Sequence, residues 1–154
     1  MAPETRLNST ARRSAGGTQA RRESGTSTEP ERLILCVDDE PDALTILRLF
    51  LSAHGFATTV ASSAAEALQL VEDRCPDLIV TDYAMPEMSG LDFCRALRRR
   101  GETCAIPIIL HSGVELKEDH ADLFDRFLLK PTELDLLVRE IRGLLPAARA
   151  QQSA

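Results

Sequence analysis

At 154 residues, 44% of them hydrophobic and 27% charged, the chain has the length and balance of one soluble globular domain. No apolar run is long enough to span a membrane and no signal-peptide core follows the amino terminus, so a cytoplasmic protein without a membrane partner is expected. Residues 1–30 hold five Arg against three Glu and the remainder 13 basic against 21 acidic groups, an acidic body that speaks against direct nucleic-acid binding.

Residues 1–30 are rich in Arg, Ser, Thr and Gly, with Leu7 the only large aliphatic side chain after Met1, and are expected to form a disordered tail. Order begins at Leu33. Leu33-Ile34-Leu35-Cys36-Val37 is an unbroken apolar run, as expected of a strand covered on both faces. It stops at Asp38-Asp39-Glu40-Pro41, acids and a proline that open a helix carrying Leu44, Leu47, Phe50 and Leu51, closed by His54-Gly55. A second, weaker strand is expected over residues 56–60. Ser63 and Glu66 then form a capping-box pattern ahead of Ala67, Leu68 and Val71. A third strand, residues 77–81, delivers Asp82 to a loop containing Pro86 and Gly90, and Leu91, Cys94 and Leu97 line the helix after it.

The Arg98-Arg99-Arg100 run at that helix end reads as a solvated complement to the helix dipole. Residues 106–110 form a fourth strand ending at His111-Ser112-Gly113, and Phe127-Leu128-Leu129 a fifth ending at Lys130-Pro131. Thr132 is expected to cap a last helix with Leu134, Leu137, Val138, Ile141, Leu144 and Leu145 on one stripe. Residues 114–126, acid-rich with few apolar anchors, promise at most a short or frayed helix. The four cysteines show no CxxC pair or metal spacing and read as reduced thiols.

Five alternations of strand and helix imply an α/β fold, a doubly wound five-stranded parallel sheet. Right-handed crossovers then bring the carboxyl ends of the strands to one edge, where open sheets bind ligands. Asp38, Asp39, Asp82, Ser112 and Lys130 arrive there from four strands. Crowded carboxylates suit Mg²⁺, and one of them can act as a nucleophile toward phosphorus while Lys130 and Ser112 face phosphoryl oxygens. No Gly-rich phosphate loop accompanies them, so a bound nucleotide is not expected.

These motifs, Val37-Asp38-Asp39-Glu40, the run from Thr81 to Gly90, Ser112-Gly113 and Phe127-Leu128-Leu129-Lys130-Pro131, resemble the response regulator receiver domain of two-component signalling. The resemblance covers about residues 32–145 and implies the (βα)5 flavodoxin-like fold, strand order 2-1-3-4-5, with a domain over 31–146 and a short flexible tail over 147–154. It implies that Asp82 is the phosphoacceptor, and that Asp38, Asp39, Asp82 and the backbone carbonyl of Ala84 hold Mg²⁺, Asp38 mainly through water. Ser112 and Lys130 would bind phosphoryl oxygens, and Phe127 would occupy the aromatic switch position. The implied donor is a sensor histidine kinase or a histidine phosphotransfer protein. The implied output is a surface of fourth helix, fifth strand and fifth helix that binds a downstream protein and leaves homodimerisation open.

Three departures from the family pattern stand out. The Ser112-to-Lys130 stretch is short, with Leu123-Phe124-Asp125-Arg126 where Gly-Ala is customary, so the fourth helix is expected to be trimmed. Ala84 and Val114 are apolar where polar groups often tune hydrolysis, which predicts slow self-dephosphorylation. Nine residues follow Leu145, so a single-domain switch is expected rather than a turnover enzyme. A phosphorylation-independent interaction module on the same fold is the alternative. An aspartyl-phosphate hydrolase is a third reading, weakened by Ala84 standing where a second acid would be needed.

Overall fold

β1 (Leu33–Val37) is buried at all five positions, as an aliphatic run between two covered faces must be. It pairs in parallel with β2 (Ala57–Ala61) on one side and β3 (Leu78–Asp82) on the other, and β4 (Ile108–Ser112) and β5 (Arg126–Leu129) complete the sheet in the expected order β2-β1-β3-β4-β5. The computed structural model describes residues 31–117 and 120–146, so the tails expected at 1–30 and 147–154 lie outside the described residues. Strand limits move by one or two positions from the sequence reading. The consequence is that Asp82 and Ser112 are terminal strand residues rather than loop residues, with side-chain directions set by the pleat.

α1 (Pro41–Ala53) starts on its proline and ends at His54, with Gly55 taking φ +88°. α2 (Ala64–Asp73) is capped by Ser63, whose Oγ accepts the Glu66 N–H at 3.2 Å. Glu66 reaches back to the Ser62 N–H at 2.9 Å, one residue beyond the usual capping-box donor. α3 (Gly90–Arg98) is capped in the same way by Ser89. α4 (Leu134–Leu144) corrects an expectation. Its N-cap is Glu133 without a side-chain bond, and the Thr132 hydroxyl donates instead to the Leu129 carbonyl at 2.8 Å.

Two apolar clusters flank the sheet. Ile34, Cys36, Leu78, Val80 and Ile109 meet Leu44, Leu47 and Leu51 of α1 and Leu137, Val138 and Ile141 of α4. On the opposite side Leu35, Val37, Ile79, Ile108 and Leu110 meet Ala67 and Val71 of α2 and Cys94 and Leu97 of α3. Each fully buried aliphatic side chain contributes roughly 1.5–3 kcal/mol, so these two layers carry the fold.

Between β4 and β5 the described residues form bends and a turn at 121–123 but no helix, so the fourth of five expected helices is absent among them. Leu123 is the buried anchor of the segment. Asp125 ties it to β4: its N–H donates to the Ile108 carbonyl at 2.8 Å and its Oδ2 accepts the Ile108 N–H at 2.8 Å. Arg98 fastens the other side. Its guanidinium donates to the carbonyls of Leu123 (3.1 Å), Cys104 (2.8 Å) and Ile106 (2.7 Å) and pairs with Asp125 at 3.1 Å. Arg100 pairs with Glu72 of α2. Arg98 is therefore a tertiary clamp rather than part of a solvated helix end, whereas Arg99 and Arg100 are exposed.

Candidate functional site

The carboxyl ends of β1, β3, β4 and β5 open on one edge. Pleat alternation continues from Cys36, Val80, Ile109 and Leu128, all on the α1/α4 side, to Asp38, Asp82, His111 and Lys130. Ser112 follows Leu110 on the α2/α3 side. The strands thus bring Asp38, Asp82 and Lys130 together and turn Ser112 the other way.

Carboxylate oxygens of Asp38, Asp39 and Asp82 lie within 4.8 Å of one another. Asp38 is buried; its Oδ1 accepts the Glu40 N–H at 2.9 Å and its Oδ2 accepts from Lys130 Nζ at 2.9 Å. Asp82 Oδ1 accepts the Tyr83 N–H at 2.8 Å and stands 3.5 Å from Lys130 Nζ. Asp39 is exposed at the rim. Three carboxylates against one ammonium leave excess negative charge, and an all-oxygen donor set with one open side fits a hard cation such as Mg²⁺.

Burial raises the Asp82 carboxyl above its usual range; Lys130 pulls it down, Asp38 pushes it further up and the Tyr83 N–H lowers it, with the balance upward. For Lys130 burial acts downward, but the bond to Asp38 and the charges of Asp38 and Asp82 hold the ammonium above its ordinary value. Its positive charge is secure at neutral pH. His111, paired in register with Asp82, was read from the sequence only as a strand end. Burial and then Lys130 push its imidazole down to about 4, against a weaker pull from Asp38, so it is neutral. The one signal that could have found it is a lone titratable residue continuing an aliphatic strand on the same face as Asp82.

Gly90 is needed for close approach. A Cβ there would sit 2.0 Å from the Asp82 carbonyl oxygen, while its N–H donates to the Tyr83 carbonyl at 2.8 Å. That contact seats α3 directly against the end of β3. Ala84, two residues past Asp82, is exposed and offers its backbone carbonyl but no polar side chain.

The fully buried Ser112 hydroxyl closes on its own loop, donating to the Val114 carbonyl at 2.8 Å and accepting the Val114 N–H at 3.0 Å. Its carbonyl accepts the Lys130 N–H at 2.7 Å, which locks the two strand ends together. Phe127 pairs with Leu110 in register, one pleat repeat below Ser112 on the same side. It is half-buried, against the α2/α3 cluster and 6.3 Å from the Phe124 ring. Among the described residues no helix is long and apolar enough to cross a membrane.

Comparison with known proteins agrees with this geometry. The family model described as response regulator receiver domain matches residues 34–142. An uncharacterized 14.6 kDa protein of Leptolyngbya boryana is 38% identical over 115 residues, covering 71% of this chain and 86% of the relative. The response regulator MprA of Mycobacterium leprae is 36% identical over 124 residues, 79% of this chain, which spans about half (54%) of that relative's length. Among solved structures, the response regulator TrrA of Thermotoga maritima, crystallised with Mg²⁺–BeF, aligns with a TM-score of 0.68 at 28% identity over 74% of this chain and 99% of its own. The chemotaxis protein CheY4 of Vibrio cholerae aligns with a TM-score of 0.71 at 24% identity, covering 75% of this chain and 100% of its own, a likeness of fold. With its five strands in that order and its acids gathered at their carboxyl ends, the chain belongs to the response regulator receiver domain family.

Proposed function

We propose that the protein is a phosphoacceptor switch in which Asp82 takes a phosphoryl group from a phosphohistidine on a sensor histidine kinase or a histidine phosphotransfer protein. The observation that carries this reading is the placing of one ammonium, Lys130, between the buried Asp38 carboxylate at 2.9 Å and the Asp82 carboxylate at 3.5 Å. An Asp82 oxygen attacks phosphorus, the P–N bond breaks, and its electron pair returns to the donor imidazole. Lys130 then exchanges part of its contact with the carboxylates for a phosphoryl oxygen. The Ser112 hydroxyl leaves Val114 and donates to another phosphoryl oxygen, which frees the start of the β4–β5 connection. Phe127, one pleat repeat from Ser112, follows that release.

Asp38, Asp39, Asp82 and the Ala84 carbonyl would hold Mg²⁺, with Asp38 acting mainly through water. The ion would neutralise charge on the transferring group. The Mg²⁺–BeF complex of the related TrrA supports this assignment. The switched surface is formed by the β4–β5 connection, β5 and α4, and it engages a downstream protein; a homodimer through the same face is a further use of it. The protein acts in the cytoplasm as a self-dephosphorylating switch and not as a turnover enzyme.

Incubation with phosphoramidate or acetyl phosphate and Mg²⁺, followed by intact mass measurement, tests the proposal. One added phosphoryl group is expected, absent in Asp82→Asn and absent with EDTA. No adduct on the unmodified chain would leave a phosphorylation-independent interaction module, and sustained phosphate release without an adduct would indicate a hydrolase.

A further inference from the structure

Among the described residues the β4–β5 connection carries no helix, and between it and α3 lies a cavity of about 570 Å³. That is the size of a small-molecule site. Leu91 and Arg95, one turn apart on α3, line one side, and Val114, Leu116 and Lys117 of the connection line the other. Tyr83, the residue after Asp82, lines it as well.

The lining is of two kinds. Leu91, Leu116 and Tyr83 belong to the α2/α3 apolar layer and offer contact to an apolar body. The rest is charged. Lys117 is exposed and has no hydrogen-bond or ion-pair partner among the described residues. Arg95 uses one guanidinium nitrogen on Asp92 at 2.9 Å and keeps its remaining N–H donors for a ligand. Glu115 is the single carboxylate of the lining against these two cations, in a body with 21 acidic and 13 basic groups. An occupant with one anionic group on an apolar body suits this balance, whereas a polyphosphate would meet Glu115 and an apolar floor.

We propose that this cavity binds a small amphipathic organic anion, an aromatic or aliphatic body carrying one carboxylate or sulfonate, with the body on Leu91, Leu116 and Tyr83 and the anionic group facing Arg95 and Lys117. Val114 connects the cavity to the switch. Its backbone carbonyl and N–H hold the Ser112 hydroxyl at 2.8 Å and 3.0 Å, so an occupant against Val114 stabilises the arrangement in which Ser112 is engaged. Under the phosphoacceptor reading above, on which this consequence rests, Ser112 leaves Val114. The occupant therefore disfavours the Asp82 adduct, and the adduct weakens the occupant by the same factor.

The test titrates the full chain with anilinonaphthalene sulfonate and with phenylnaphthylamine, which has the same rings without the sulfonate. Saturable binding of the sulfonate should move the backbone amide resonances of Tyr83, Leu91, Val114 and Lys117. Lys117→Ala should weaken the sulfonate about threefold, the scale of one partly exposed ion pair, and leave phenylnaphthylamine unchanged. Leu116→Ala should weaken both. Resonance shifts gathered instead at the exposed Ile46 and Leu49 of α1, equal affinity for the two probes, or an unchanged sulfonate affinity in Lys117→Ala would overturn the site. With the sulfonate at saturation, phosphoramidate should yield less Asp82 adduct, and an unchanged yield would overturn the link through Val114. If the chain forms no adduct even without the sulfonate, the phosphoacceptor reading fails, while the shifts and the Lys117→Ala affinities still decide the cavity.

Discussion

On the α1/α4 side of the sheet, Leu137, Val138 and Ile141 close over Ile109 and the half-buried Leu128, and the charged site sits at the end of that sealed layer. On the α2/α3 side, the described residues place no helix over the β5 end, and Val114 and Leu129 stand 53% and 43% exposed. The same strands have one side that fixes Asp38, Asp82 and Lys130 rigidly and another whose cover thins out beside Ser112 and Phe127. The switch proposed above would gain from this division. The charges that bind and react need stiff support, whereas the segment that reports their state needs few apolar contacts to break.

The contrast can be broken most directly by truncation. Leu137→Ala should cost about 2–5 kcal/mol, as for any fully buried leucine, whereas Leu129→Ser should stay within about 0.5 kcal/mol. Comparable urea midpoints for the two variants would mean that the β5 end is as well covered as α4. Next in size is a pH effect confined to the sealed side. His111 titrates near 6.5 when unfolded and about 4 when folded. Below 6.5 the unfolded chain therefore binds the extra proton first. Its contribution to stability is full above about pH 6.5 and is lost as the pH falls toward 4, by up to about 3 kcal/mol. Urea unfolding in metal-free buffer across that window should show the slope in the unmodified chain, and His111→Gln should flatten it.

On the thinner side, Arg98→Ala removes three carbonyl bonds and an ion pair and should cost about 2 kcal/mol, because charged hydrogen bonds exceed neutral ones. It should also speed hydrogen exchange in the β4–β5 connection before it affects α1 or α4. Uniform loss of protection would show that the two sides open as one. The smallest expected effect is kinetic. Ala84→Asn places a polar group beside the phosphorylated Asp82 and should shorten the lifetime of the adduct by about three- to tenfold. An unchanged or longer lifetime would sink the expectation that Ala84 slows hydrolysis.

How legible each side was in the sequence follows from the same difference. Strands buried on both faces have to be unbroken apolar runs, so Leu33-Ile34-Leu35-Cys36-Val37 and its counterparts marked themselves, and with them the acids at their ends. The clamp made by Arg98 was not legible. Its acceptors are backbone carbonyls as far as 25 residues away, and a carbonyl has no sequence signature. Thr132 misled for a related reason, since a hydroxyl near a helix start can equally bond the strand behind it, here Leu129. The weakness of the fourth helix was visible in its acid-rich composition, but the turns that replace it depend on where Leu123 and Asp125 attach. Ser112 does stand at its strand end, while its engagement with Val114 is a local choice with no sequence signature.

Cysteine chemistry offers a native reporter for both layers. Cys36 lies in the α1/α4 cluster and Cys94 in the α2/α3 cluster, and burial pushes each thiol up to about 12. Cys75 and Cys104 are free and exposed. An alkylating reagent will therefore mark Cys75 and Cys104 without delay, then wait at Cys36 and Cys94 for the layer around each to open, because only an accessible thiolate reacts. Peptide mass mapping over time gives two opening rates from one unmutated sample, and repeating it after phosphoramidate treatment would show which side of the sheet responds to the proposed phosphorylation.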